Sequence, residues 1–208
     1  MKITLTTLAG VALLLLSSCD PEPDVRYLYI QPESVVYDIA TGKEADNNEV
    51  PFNDLLVHIK TPFSQQTVSV PTALPFVTKS YAMHKDMSKA YTVEKMTGIR
   101  VVTVKDYDAT HLAGSDITDL CMFYNVKKNA DTNKLNPVFA EGVSLQRVVQ
   151  DMNVNSEYGY GGIGPRAEFG IKLLQVPATA SQQQFKIEFE TATPSKFSTT
   201  TKPFILKP

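Results

Sequence analysis

Four aspartates and one histidine fall within the short stretch from Asp106 to Asp119, the densest group of chemically capable side chains in the chain. Asp106, Asp108, His111, Asp116 and Asp119 could converge on a cation, since hard cations take carboxylate oxygens and an imidazole adds a nitrogen. Their spacing does not match an EF-hand loop, and no paired histidines of a helical zinc hydrolase accompany them. The same residues have a simpler use. Aspartate side chains bond to nearby backbone N–H groups in turns, and Gly114 supplies a left-handed position. The stretch therefore reads first as a turn at the end of a strand, with a cation site as the alternative, and its loop residues as candidates for ligand contact.

A second candidate is Tyr158-Gly159-Tyr160-Gly161-Gly162-Ile163-Gly164-Pro165-Arg166. No Gly-Lys-Ser/Thr follows, so it is not a P-loop, and it does not open a helix as a dinucleotide fingerprint must. Tyr158, Tyr160 and Arg166 could form a flap whose rings stack on a sugar or on a partner's aromatic groups. An ordinary connecting loop is the plainer reading. For nucleophilic catalysis there is little material. No Gly-x-Ser-x-Gly elbow occurs, and Ser115 sits four residues beyond His111 without implying a hydrogen bond. His58 is expected on the solvated face of a strand beside Lys60, and His84 neighbours Lys85-Asp86. No catalytic residue, metal or cofactor is assigned, and the chain is expected not to be an enzyme.

These loops need a scaffold, and period-two alternation supplies it. Val25 to Ile30, Val35 to Ile39, Leu55 to Lys60, Thr67 to Val70, Phe76 to Met83, Ile99 to Lys105, Phe169 to Val176, Phe185 to Glu190 and Phe204 to Lys207 read as strands. In Phe185-Lys186-Ile187-Glu188-Phe189-Glu190 apolar and charged residues alternate without a break, so one face is buried and the other wet. Alternation rather than continuous apolar runs argues for antiparallel strands. The one helical pattern is Leu145, Val148, Val149 and Met152, with Ser144 as N-cap. The expected fold is a mostly β, antiparallel sandwich, Ig-like in general shape, with one short helix. It is read as one domain over residues 25–208, or as two small sandwiches packed together. The chain has 208 residues, is 43% hydrophobic and 20% charged, and has a formal net charge of −2. No basic cluster larger than Lys127-Lys128 appears, so nucleic acid is not an expected partner. Cys121 lies in the apolar run Leu120-Cys121-Met122-Phe123-Tyr124 and is expected to be a small buried hydrophobe rather than a reactive thiol.

The N-terminus carries the address. Lys2, the apolar run Leu8 to Leu16 and then Leu16-Ser17-Ser18-Cys19 resemble the signal and lipobox of bacterial lipoproteins. The apolar run is far shorter than the ~20 residues of a membrane-spanning helix. The resemblance implies removal of residues 1–18, diacylation of the Cys19 sulfur with palmitate-type chains, and acylation of the new N-terminus. Only Cys121 would then be left, so the mature chain has no internal disulfide. Asp20-Pro21-Glu22-Pro23-Asp24 reads as an extended acidic tether over residues 19–24. It is similar to surface-export signals of Bacteroidetes lipoproteins.

The strand ending in Lys105-Asp106-Tyr107-Asp108-Ala109-Thr110-His111, followed by Ala113-Gly114-Ser115-Asp116, resembles uncharacterised lipoproteins of gut and oral Bacteroidetes. So do Gln184-Phe185-Lys186-Ile187-Glu188-Phe189 and Thr201-Lys202-Pro203-Phe204-Ile205-Leu206. Thr193-Pro194-Ser195 departs from that pattern, where a glycine turn would be expected. The resemblance spans roughly residues 95–207 and implies a β-sandwich without assigned catalytic residues. Together these readings predict a lipid-anchored outer-membrane protein, either periplasmic or on the cell surface. Its predicted role is non-enzymatic binding of a glycan, a peptide or another envelope protein. The alternatives are a subunit of a fimbrial or other surface assembly, with Val25 to Ile30 as an exchangeable strand, and more remotely a glycan-active hydrolase.

Overall fold

A computed structural model describes residues 24–68, 90–92, 94–128, 135–153, 155–156, 168–177, 179–192 and 197–208. The expected signal and anchor, the end of the Thr67 to Val70 segment, Phe76 to Met83, His84, Thr193-Pro194-Ser195 and the whole Tyr158–Arg166 loop lie outside the described residues. Sixteen strands are seen among the described residues: β1 (Asp24–Tyr29), β2 (Glu33–Asp38), β3 (Lys43–Glu44), β4 (Glu49–Pro51), β5 (Leu55–Lys60), β6 (Phe63–Val68), β7 (Ala90–Thr92) and β8 (Met96–Thr103), then β9 (Cys121–Lys128), β10 (Leu135–Val143), β11 (Asn155–Ser156), β12 (Glu168–Leu173), β13 (Ser181–Gln183), β14 (Phe185–Thr191), β15 (Phe197–Thr200) and β16 (Phe204–Lys207). One α-helix, α1 (Leu145–Met152), accompanies them.

The protein is a mostly β sandwich. One layer is a six-stranded sheet in the order β10-β9-β12-β5-β2-β3. The facing layer is made of two three-stranded sheets, β13-β16-β4 and β15-β14-β8, and a fourth sheet, β11-β7-β1-β6, continues from the first layer. Val36, Val57, Ile59, Phe123, Phe169 and Ile171 of the large sheet meet Ile99, Val101, Phe185, Ile187, Phe189, Phe204 and Leu206 in a single buried cluster. The rings of Phe169 and Phe189 span the two layers edge to face, with centroids 6.4 Å apart. Aromatic pairs of this geometry add to the free energy of area burial.

The alternation expected in β14 holds. Phe185, Ile187 and Phe189 are buried, while Lys186 and Glu188 lie partly exposed and bond to each other. The helix forms where its pattern places it. The Ser144 hydroxyl accepts the Arg147 backbone N–H at 3.2 Å, and Val148 and Met152 are fully buried. The helix lies against β8 and β9 and closes that side of the sandwich. Asn153, which follows it, exchanges two bonds with Met96, donating to its carbonyl at 2.7 Å and accepting its N–H at 2.8 Å. On the other side, Ser34 and Thr199 hydroxyls meet at 3.0 Å across β2 and β15.

Four expectations need correction. The sheets are not wholly antiparallel: β1 pairs parallel with β7, and β4 with β16. These strands are distant in sequence, and such long connections permit parallel pairing. The tether gives way to β1 already at Asp24, which pairs with Val68. Strand β12 ends at Leu173, so Leu174 and Val176 belong to a loop rather than to a strand reaching Val176. Finally, β5 is not half-buried. Leu55 to Ile59 are all buried, because β5 lies between β12 and β2 in the interior of the large sheet and its second face is also covered. His58 is therefore 1% exposed rather than solvated, and its Nε2 lies 3.1 Å from Glu168 Oε2.

The second face of the large sheet is tight around Gly170. A Cβ there would come within 2.7 Å of Leu56 Cδ1 and 2.9 Å of Val126 Cγ2. Gly170→Ala should therefore lower stability by about 1–3 kcal/mol through overpacking. The measurement is a denaturant midpoint, with Gly170→Ala/Leu56→Ala expected to lose less than the sum of the two single losses, since the smaller side chain relieves part of the clash.

Candidate binding site

At the end of β8 the chain leaves the sheet and folds into a turn that binds itself closely. The Thr103 hydroxyl donates to the Leu112 carbonyl at 2.7 Å, and Gly114, at φ +89°, donates its N–H to the Thr103 carbonyl at 2.8 Å. That conformation suits glycine, as its missing Cβ removes the clash. Asp108 Oδ1 accepts the backbone N–H groups of Thr110 at 2.8 Å and His111 at 2.7 Å, together with the Thr110 hydroxyl at 2.7 Å. His111 Nδ1 lies 2.9 Å from both Asp108 oxygens. Asp106 Oδ1 accepts the Ala113 N–H at 2.7 Å. Asp116 accepts the Thr118 N–H at 3.0 Å and the Arg100 Nε–H at 2.8 Å.

The structure thus brings Asp106, Asp108, His111 and Asp116 into one loop and gives each a place in its turn chemistry. Their carboxylates face the loop's own donors. Among the described residues no group of three or more His, Cys, Asp or Glu side chains is placed to hold a metal ion. The His111 and Thr110 hydrogen bonds hold the Asp108 carboxyl well below the usual carboxylate range. Burial works against the charge of Asp116, but the bonds from Thr118 and Arg100 outweigh it, and its carboxyl is also lowered.

Tyr107 pins this loop to the rest of the molecule. It is 2% exposed, and its ring lies 6.3 Å from that of Phe185 in the core. Its hydroxyl donates to the carbonyl of Gln175, in the loop that follows β12. Burial pushes its phenol above the ordinary range, so it stays a donor. Leu174 in turn donates its N–H to the Leu120 carbonyl at 2.8 Å, and Gln183 Nε2 donates to the Asp106 carbonyl at 3.1 Å. The loops 104–116 and 174–176 therefore form one pinned unit at one end of the sandwich.

Sequence reasoning found the first of these loops and missed the second. It also missed the apolar side chains that the pair displays, because Val104, Leu174 and Val176 continue strand-like patterns in the sequence. Cys121 is as expected: 8% exposed, with its thiol 3.2 Å from the Ile117 carbonyl and pushed up to about 12 by burial. Tyr158, Tyr160, Arg166 and Cys19 lie outside the described residues.

No protein-family model and no curated protein matches the chain. Among solved structures it is similar to the C-terminal domain of the Streptococcus agalactiae antigen I/II polypeptide BspA, at 12% identity and a TM-score of 0.28. That match covers 89% of this chain and 50% of that one. It is also similar to the C-terminal domain of the Streptococcus pyogenes antigen I/II-family protein AspA, at 12% identity and a TM-score of 0.24, covering 86% and 47%. The chain spans about half the length of either structure. Likeness this distant transfers no role to the residues described above.

Two measurements check the site. Since the folded-state carboxyl of Asp108 is lowered, its stabilisation is present above the ordinary carboxylate range and is lost as pH falls through the lowered value. The Tm deficit of Asp108→Ala should be steady above about pH 5 and narrow below about pH 3. Cys121 should resist iodoacetamide at pH 8 in the native protein and react fully in denaturant, as only the thiolate is nucleophilic.

Proposed function

We propose that this chain is a lipid-anchored envelope protein that works by binding rather than by catalysis, with the loops 104–116 and 174–176 as its contact end. The observation that carries this reading is the rigid mounting of those loops. Tyr107 is set into the core, and Asp108 and Asp116 spend both carboxylate oxygens on donors of the turn and of Arg100. Loops held on a stiff scaffold are where recognition is commonly placed. The commitment of these two acid groups to structure favours recognition over acid–base chemistry.

The strand order supports an outward orientation. The chain enters the large sheet from β1 at the Glu33 end of β2, beside Lys60. Leu173, where the second loop begins, lies at the opposite end, since the register Ile171–Val57 carries it toward Leu55. A domain tethered through Cys19 would then enter its large sheet at the end remote from these loops. Among the described residues no helix is long and apolar enough to cross a membrane.

A second reading, a subunit of a surface assembly, is favoured by the position of β1. It lies between β6 and β7, so its withdrawal would leave β6 unpaired and one edge of β7 open to a neighbour's strand.

The anchor is tested by metabolic labelling with palmitate. Label and membrane association should both be present in the native protein and lost in Cys19→Ala. An unacylated N-terminus at another residue would overturn the assignment. Protease treatment of intact cells then separates a surface from a periplasmic position. Concentration-dependent ladders on native gels would favour the assembly reading.

A further inference from the structure

Five large hydrophobic side chains stand out as exposed among the described residues, and four of them belong to the pinned loop pair. Leu112 is 56% exposed, Leu174 55%, Val176 42% and Val104 41%. The fifth, Ile30, lies elsewhere, its N–H bonded to the Pro62 carbonyl beyond the other end of β5. Single exposed aliphatic residues are ordinary, but four on two bonded loops at one end of a domain are not scattered. The loops cannot fold them inward, because the backbone on either side is committed. Thr103 and Ser115 hold the Leu112 carbonyl, Tyr107 holds that of Gln175, and Val104 bonds to Gln184.

The chemistry around these side chains narrows what covers them. Residues 104–120 hold four aspartates against one lysine, and with Arg100 paired to Asp116 the loop end still carries an excess of negative charge. Asp106 and Asp119 are exposed, and Lys105 is occupied by Gln182. An anionic bilayer or a nucleic acid would be repelled by that field. A sugar is best met by an exposed aromatic platform, whereas the exposed apolar groups here are all aliphatic and Tyr107 is buried. Aliphatic knobs rimmed by carboxylates suit a protein segment that carries basic residues beside apolar ones.

We infer that the loops 104–116 and 174–176 form a docking surface for a basic, apolar protein segment, with Leu112 and Leu174 as its apolar contacts and Asp106 and Asp119 as its charged rim. This rests on the binding role proposed above and specifies its partner class.

The test uses the full lipoprotein in phosphatidylcholine nanodiscs as bait for a library of displayed random dodecapeptides. Selected peptides should combine Lys or Arg with Leu, Ile or Val, and their affinity should fall as salt rises. Leu112→Ser/Leu174→Ser should weaken them by about ten-fold or more, and Asp119→Asn should flatten the salt dependence. Both leucines are more than half exposed, so the double variant should keep its Tm, which is measured alongside. Peptides that bind the double variant as well as the native protein would overturn this surface while leaving a binding role standing. Acidic or charge-free selections, or none at all, would overturn the partner class. Binding of anionic vesicles or arrayed glycans that the double variant abolishes would do the same in favour of those ligands. Failure of peptides, vesicles and glycans alike would count against the binding role itself.

Discussion

Burial of β5 on both faces is the constraint from which the rest of this sandwich follows. Leu55, Val57 and Ile59 serve the core shared with the facing layer, while Leu56 and His58 are covered on the other side. A strand so placed needs paired neighbours along both edges, because an unpaired backbone donor or acceptor away from water is costly. Strands β2 and β12 supply them in antiparallel register. On the second face Gly170 leaves room for Leu56 and Val126 where any larger residue would collide. His58 finds Glu168 at the end of β12, a pairing that makes a buried imidazole tolerable there.

Much of the framework was legible in the residues. Phe185 to Glu190 alternates without exception, and the structure buries its apolar positions. Leu145, Val148 and Met152 announce the helix, and Ser144 caps it. What escaped reading did so for physical reasons. His58 looks like a solvated residue beside Lys60, since local pattern cannot show that a strand will be sheet-central. Its partner Glu168 stands 110 residues away, and only the register of β5 with β12 unites them. Strand β10 contains Pro137, which argues against an interior position, and β10 is indeed an edge of the large sheet.

The candidate site divides in the same way. Turn chemistry in Asp106 to Asp116 can be read from residue types because Asx-type bonding is local, and Gly114 takes the left-handed conformation expected of it. The partnership of this loop with residues 174–176 is not local. It depends on a tyrosine hydroxyl reaching a carbonyl 68 positions later. Leu174 and Val176 looked like the tail of a strand, and only the end of pairing at Leu173 reveals them as display positions. The proposed contact surface is thus written partly in residues whose sequence pattern is that of the core.

The placement of β1 has a mechanical corollary. If Cys19 anchors the chain as proposed, a partner that seized the distal loops would pull it from both ends. That pull would reach the domain through Asp24, where β1 begins its six-residue register with β6. Tension directed along a strand strains all the rungs of such a ladder together, whereas a sideways pull opens them one after another. The strand nearest the proposed anchor is flanked on both sides, by β6 and by β7, so a pull along it would load two ladders at once.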